Sequence, residues 1–540
     1  MPTVNLNKKE FEELVGKKLP LEELKDRISM LGTDLESIEG NEIIVEVFPN
    51  RPDMLSEQGF ARAFSSFIGV KKGLRKYKVK KSNYKVLVDR SVKMVRPFTA
   101  CAVVKNLKLD DEKIKSIIQI QEKLHISYGR NRKKVAIGVY PLEKIWFPIR
   151  YLAENPKDIK FKPLDMSQIL NGKEILELHS TGREYKHLLE NERIYPIFID
   201  ANDNILSMPP IINSEDVGKV SEDTKEVFIE CSGFDYNVLG KCLNFIVTAL
   251  ADMGGEIHEI EINYSGEKII SPNLAPEEMK LNLNYVNKML GLELKENEVK
   301  GLLEKMGFDY SNGKVLIPAY RTDIMHEIDL VEDIAIAFGY ENFKEEIPNI
   351  STVGKESERS KFNKKISEIL IGLGLLECSS VSLSNENSLN KKMNIKNKLV
   401  KVESPVNQDY DTLRNSILPI LLNILSENKR YEYPQDIFEI GKVFDDIMDR
   451  DSLGTVITGN FTQIKQTLDV LFSLMDLKYE VKEDDHGSFI SGRCGKIICK
   501  EKEIGIIGEI NPSALNNFGI EVPCSGFELD INAIFKILNS

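Results

Sequence analysis

The run Ile317-Pro-Ala-Tyr-Arg-Thr-Asp323-Ile-Met-His-Glu-Ile-Asp329-Leu-Val-Glu332-Asp333-Ile-Ala-Ile-Ala-Phe-Gly-Tyr340 spells a strand end, a turn and an amphipathic helix. A helix advances about 100° per residue, so Asp329, Glu332 and Asp333 share a narrow sector. Ile328, Val331, Ile334, Ala335 and Phe338 occupy the opposite side, and Asp323 sits just before the helix. Hard oxygen ligands at that spacing suit Mg²⁺, which is held by a few carboxylates and keeps several waters. The competing reading is a solvated acidic face on an ordinary amphipathic helix.

Upstream of this run, Val299, Leu302, Leu303 and Met306 repeat at helical spacing and stop at Gly307, a natural residue after a helix end. With the strand Val315 to Ile317, residues 270–346 read as a compact unit of the winged-helix kind. Downstream, Glu345 to Ser360 is polar and aperiodic, a linker. Helix Lys361 to Leu375, strand-like Glu377 to Leu383 and further α/β alternation fill a last domain, 356–540. Residues 85–265 are β-rich, with strands at Val135 to Val139, Arg193 to Ile199 and Glu226 to Glu230 and a helix at Tyr236 to Met253. The turn-rich Ser271-Pro-Asn-Leu-Ala-Pro276 closes that region. Residues 1–80 read as helix, helix, strand, helix, an N-terminal α/β domain whose last helix carries Phe60, Phe64, Phe67 and Ile68. Ser56 or Asp53 caps it. The fold class is therefore multidomain α+β.

At 540 residues and a formal net charge of −12, the chain is a poor candidate for coating nucleic acid by bulk electrostatics. RNA contact must be local, at Lys71 to Lys81 or at Arg130, Arg132, Lys133 and Lys134. The first stretch alternates Lys with Tyr77 and Val79, which is also how an edge strand looks. Seven scattered cysteines form neither a disulfide framework nor a paired zinc motif, which fits a reducing cytoplasm. The best apolar run, Ile417 to Leu425, is too short to span a bilayer, and no membrane partner is expected.

Four stretches in order carry a resemblance: Phe48-Pro-Asn-Arg-Pro-Asp-Met-Leu-Ser56, Leu206-Ser-Met-Pro-Pro-Ile-Ile-Asn-Ser214, the acidic run, and Thr412-Leu-Arg-Asn-Ser-Ile-Leu-Pro419 followed by Phe438-Glu-Ile-Gly441. Together they resemble the β subunit of phenylalanyl-tRNA synthetase in its shorter archaeal and eukaryotic form, over essentially the whole chain. The resemblance implies a cytoplasmic α₂β₂ heterotetramer with an α subunit, charging tRNA(Phe) with phenylalanine at the cost of ATP. Synthesis would lie on the α subunit. It implies Mg²⁺ at Asp323, Asp329, Glu332 and Asp333. It also implies a proofreading pocket that hydrolyses mischarged Tyr-tRNA(Phe), with Ser207, Asn213, Glu230 and Ser232 as its residues. The family commonly has Asp and Thr where Glu230 and Ser232 stand. An acid beside a hydroxyl can bond a tyrosine OH, and a phenylalanine ring would leave those groups unpaired.

The last domain resembles a class II synthetase catalytic fold, but its late segment Cys524-Ser-Gly-Phe-Glu-Leu-Asp530 has no arginine to stabilise adenylate formation. Arg414 reads either as a remnant phosphate contact or as a structural partner of Glu403 or Glu439. His179, Arg183 and His187 lie at a spacing that lets the two histidines share a helix face, with no carboxylate assigned to orient them. The rival readings are a stand-alone aminoacyl-tRNA deacylase and a non-catalytic RNA-binding scaffold.

Overall fold

The polar stretch after Glu345 is where the chain divides. The computed structural model describes residues 2–446 and 448–539 and forms two compact units, 1–346 and 347–540. It is a mixed α+β architecture with several separate sheets.

The first unit opens with a strand outside the sequence reading, Thr3–Asn7, whose alternating Val4 and Leu6 are buried and which pairs with Glu42–Glu46, itself paired with Asp34–Glu39. Asn7 ends that strand and starts the helix Lys8–Val15, its side chain accepting from Lys9 N at 3.1 Å and Glu10 N at 3.3 Å. In the helix Glu57–Phe67 the capping group is Ser56, whose hydroxyl accepts from Gly59 N at 3.0 Å. Asp53 is taken by Arg51 in a two-pronged bond of 2.9 and 2.8 Å. Phe60 and Phe64 pack against Phe11.

Two larger sheets follow. A five-stranded sheet runs in the order Val79–Lys80, Glu256–His258, Phe98–Lys105, Val227–Gly233, Val135–Pro141. The lysine-rich stretch thus supplies an outer strand. A seven-stranded sheet runs in the order Ile212–Asn213, Ile205–Met208, Tyr195–Ile199, Ile149–Glu154, Lys85–Val88, Ile260–Tyr264, Glu267–Ser271. Side chains alternate across a strand, and in Phe98–Lys105 this splits the core. Ala100, Ala102 and Val104 join a core that runs through the N-terminal elements and residues 281–337. Cys101 and Val103 pack with Tyr140, Tyr151, Phe198 and Phe228. Both faces are buried, so the strand reads as a continuous apolar run.

Residues 277–338 contribute a three-stranded antiparallel sheet, Glu277–Lys280, Lys314–Ile317 and Asp309–Ser311, with helices Leu283–Leu290, Glu296–Lys305 and Glu327–Phe338. The last helix is buried over more of its circumference than the pattern suggests. Leu330, Val331, Asp333, Ile334, Ala335 and Ala337 are all buried, while Ile328, expected inward, is exposed.

The second unit is a seven-stranded sheet in the order Leu376–Glu377, Ile437–Asp445, Met448–Ile457, Ser525–Asp530, Lys502–Ile510, Phe489–Cys499, Glu480–Glu483. It is antiparallel except for its first edge strand. Helices Glu358–Gly372, Phe461–Leu474 and Ile531–Leu538 cover one face, and Leu418–Glu427 and Pro512–Phe518 the other. The apolar run from Ile417 is the second group's main contributor. No helix among the described residues is long and apolar enough to cross a membrane.

Candidate functional site

A cavity of about 700 Å³ opens in the first unit where the edges of the two larger sheets meet the helix Asp111–Ile126. Strand register builds its polar end. Ser207 pairs directly with Asn213, and Glu230 lies opposite Gly138 while Phe228 lies opposite Tyr140. A side chain from Tyr140 therefore reaches diagonally across the bare Gly138 toward Glu230. Its hydroxyl is 2.8 Å from Ser207 Oγ, 3.2 Å from Glu230 Oε1 and 3.4 Å from Asn213 Oδ1.

Ser207, Asn213 and Glu230 are thus brought together at one wall of the cavity. Ser232 is not. It is fully buried, and its Oγ accepts from Arg96 Nε at 3.2 Å while its carbonyl accepts from Arg96 Nη2 at 2.6 Å. Burial lifts the Glu230 carboxyl to about 8, although the Arg96 cation pulls the other way. Glu230 Oε2 is buried with no hydrogen-bond partner among the described residues.

At the mouth, Arg132 Nη1 donates to Ile211 O at 2.8 Å and Nη2 to Glu122 at 3.1 Å, and its guanidinium stacks on Tyr185. Arg130, Asn131 and Arg132 hold left-handed backbone angles of 49°, 51° and 62°. The turn is held by backbone bonds from Asn131 N to Ile126 O at 3.2 Å and from Arg132 N to His125 O at 3.0 Å. His125 also borders the cavity. Its Nε2 accepts from Ile137 N at 2.8 Å, leaving the ring proton on Nδ1 toward Glu122.

His179 and His187 do not share a helix face, because the segment breaks into Gly172–Leu178, Ser180–Tyr185 and a 3₁₀ turn. His179 caps the middle piece, Nδ1 accepting from Thr181 N at 3.2 Å with Nε2 3.0 Å from Leu164 O. His187 is exposed, and Arg183 bonds Leu178 O at 3.2 Å.

The four carboxylates expected to cradle Mg²⁺ do not converge. Arg321 donates to Asp323 at 2.9 and 2.7 Å and to Asp333 at 2.6 Å. Asp329 caps its own helix, accepting from Met325 N at 2.8 Å and His326 N at 2.7 Å. Glu332 is exposed and takes the Tyr340 hydroxyl at 2.8 Å. Among the described residues no group of three or more His, Cys, Asp or Glu is placed to hold a metal ion. The donor set does not fit a resident Mg²⁺, because Arg321 supplies the positive charge and Asp333 lies on the packed side of the helix.

Two family models match, the tRNA synthetase B5 domain over residues 279–340 and the phenylalanyl-tRNA synthetase β-chain CLM domain over residues 344–531. The phenylalanine–tRNA ligase β subunit of Pyrococcus horikoshii is 39% identical, covering 99% of this chain and 100% of that one. The Archaeoglobus fulgidus β subunit is 40% identical over 99% of each. The chain belongs to the phenylalanine–tRNA ligase β-subunit family. A crystal structure of an N-terminal fragment of the P. horikoshii β subunit is 41% identical, with a TM-score of 0.60, covering 62% of this chain and 99% of that fragment.

The two segments of the fourth stretch that carries the β-subunit resemblance, residues 412–419 and 438–441, lock to each other. Arg414 is fully buried and donates to Glu439 at 2.7 Å, Ser380 at 2.7 Å and Lys442 O at 2.8 Å. A Cβ at Gly441 would stand 2.2 Å from Arg414 Nη2, which accounts for the glycine of Phe-Glu-Ile-Gly in this β subunit. Glu439, and not the exposed Glu403, is the partner. Glu528, in the segment that lacks an arginine, sits at the start of the helix Leu418–Glu427. It accepts from Ile417 N at 3.1 Å, Leu418 N at 3.2 Å and Ser452 Oγ at 2.9 Å. A helix start favours an anion, and here the chain's own carboxylate fills the place. The adjoining cavity of about 490 Å³ is bordered by Asp484, Glu503, Glu528 and Asp530 against Arg450 and Lys496, a poor seat for a triphosphate.

Sequence reasoning missed Tyr140, Arg96, His125 and Arg321. Arg321-x-Asp323 repeats the pattern of Arg51-x-Asp53, with the same two-pronged geometry, and that repeat was visible. For Tyr140 the faint signal was Gly138, two residues earlier on the same strand face.

Proposed function

We propose that the chain acts as the non-synthetic β subunit of an α₂β₂ phenylalanine–tRNA ligase, the complex joining phenylalanine to tRNA(Phe) with ATP. The observation that carries this is near-full-length similarity to archaeal β subunits. The self-filled helix start at Glu528 and the acidic cavity beside it support leaving ATP, and the Mg²⁺ that accompanies it, to the α subunit. The antiparallel sheet of the second unit supports a class II synthetase-like scaffold without synthesis. The three helices and small sheet of residues 277–338 support a winged-helix-like module.

The same reading assigns hydrolytic proofreading of Tyr-tRNA(Phe) to the cavity at Ser207, Asn213 and Glu230. The Ser207 hydroxyl and the carboxyl of Glu230, raised to about 8, offer a donor and an acceptor that suit a phenolic hydroxyl, and with water as the nucleophile on the ester no side-chain nucleophile is required. The decisive experiment is co-expression with a candidate α subunit, followed by size analysis, phenylalanine charging and Tyr-tRNA hydrolysis. The reading expects a heterotetramer that charges only when α is present. Charging by this chain alone would overturn the division of labour, and a monomer that hydrolyses Tyr-tRNA unaided would favour a stand-alone deacylase.

A further inference from the structure

Tyr140 is buried behind the polar wall of the cavity and is held there from two sides. Its ring stacks on Phe228 with centroids 5.8 Å apart, and a Cβ at Gly138 would stand 2.1 Å from its hydroxyl. Only a glycine leaves that space. One phenolic proton cannot serve three acceptors, and the shortest contact is the 2.8 Å one to Ser207. The phenol oxygen is left to accept from Glu230, whose carboxyl, lifted to about 8, is largely protonated at neutral pH. Ser207 Oγ, having accepted from Tyr140, keeps its own proton for another partner. Glu230 Oε2 has no partner among the described residues.

We infer that Tyr140 is a positioning residue for specificity, its hydroxyl orienting Ser207 to donate and Glu230 to accept toward a para-hydroxylated aromatic side chain in the cavity. This rests on the proofreading reading. A tyrosyl hydroxyl satisfies both wall groups, whereas a phenylalanyl ring leaves both unpaired. Without the Tyr140 hydroxyl, Ser207 is free to turn its proton onto Glu230, and the two then satisfy each other.

Tyr140→Phe keeps the ring and removes the hydroxyl. In the assembled complex, hydrolysis of tRNA(Phe) carrying tyrosine is compared with that carrying phenylalanine. KM for the tyrosyl substrate is expected to rise about tenfold with kcat little changed, and discrimination to fall by the same factor. Ser207→Ala is then expected to add little in the Tyr140→Phe background. Gly138→Ala, whose Cβ would meet the phenol at 2.1 Å and Glu230 Oε1 at 2.7 Å and so breaks their contact, is expected to give the same KM signature, and it serves if thermal melting shows Tyr140→Phe to be unfolded. An unchanged KM and discrimination, or a fall in kcat alone, overturns the role of Tyr140 and leaves proofreading standing. No tyrosyl hydrolysis by the unaltered complex overturns proofreading, and this inference with it.

Discussion

Arg321 Nη2 lies 2.6 Å from Asp333 Oδ2 and 2.7 Å from Asp323 Oδ2, so one buried guanidinium joins two carboxylates that the sequence pattern assigns to a metal ion. Burial works against the charged form of Asp323, yet Arg321 and Arg51 together hold its carboxyl below the usual value. At Asp333 burial wins, and the carboxyl is raised. Phe308 lies under the guanidinium.

Arg321→Met leaves both acids buried without their cation and is expected to cost about 3–5 kcal/mol, read as a lower urea midpoint. Arg321→Lys should recover only part, because an ammonium cannot make the two-pronged bond. Adding EDTA should leave the midpoint of the isolated chain unchanged. A midpoint lowered by EDTA would restore a metal to the acidic run.

Gly441→Ala drives a Cβ to within 2.2 Å of Arg414 Nη2. Arg414 is tied by three bonds and has nowhere to withdraw, so overpacking of about 1–3 kcal/mol is expected, seen as a lower melting temperature. A neutral outcome would mean that Arg414 is free to move.

The Glu230 carboxyl is raised from 4.5 to about 8, chiefly by burial. The folded state therefore binds more protons than the unfolded chain between those values. Its stabilising share is complete below about pH 4.5 and is lost as pH rises through 8. Glu57, also lifted to about 8 by burial, acts in the same direction. Glu230→Gln should flatten, without abolishing, the decline in melting temperature from pH 5 to 8.

Ser207 and Ser232 separate cavity from support. Ser207→Ala should raise KM for Tyr-tRNA hydrolysis by the complex. Ser232→Ala removes one acceptor from buried Arg96 and should cost about 1 kcal/mol of stability without changing that KM. Equal effects on KM would return Ser232 to the pocket.

How legible each part was follows from the range of the interaction behind it. The helix Tyr236–Asp252 appears in the structure close to its predicted bounds, and the stripe Phe60, Phe64 and Phe67 falls within the helix Glu57–Phe67, whereas the apolar run from Ile417, not assigned an element from sequence, folds as the helix Leu418–Glu427. The strand Thr3–Asn7 carries the polar–apolar alternation of a half-buried strand, but only five residues of it, and its pairing partner lies about forty residues away. The histidine pair failed for a related reason. Helical spacing assumes an unbroken helix, and His179 itself ends one piece and caps the next.

Family membership and the order of elements were within reach of the sequence alone, because motif spacing and periodicity are properties of neighbouring residues. The partner of each charged group was not. Arg321, not a metal ion, between Asp323 and Asp333, Glu439 rather than Glu403 on Arg414, and Tyr140 across Gly138 on Glu230 were all decided by tertiary structure. Each depends on strand register and on which face of an element is buried, and a buried charge takes whichever counter-charge packing brings within hydrogen-bond reach.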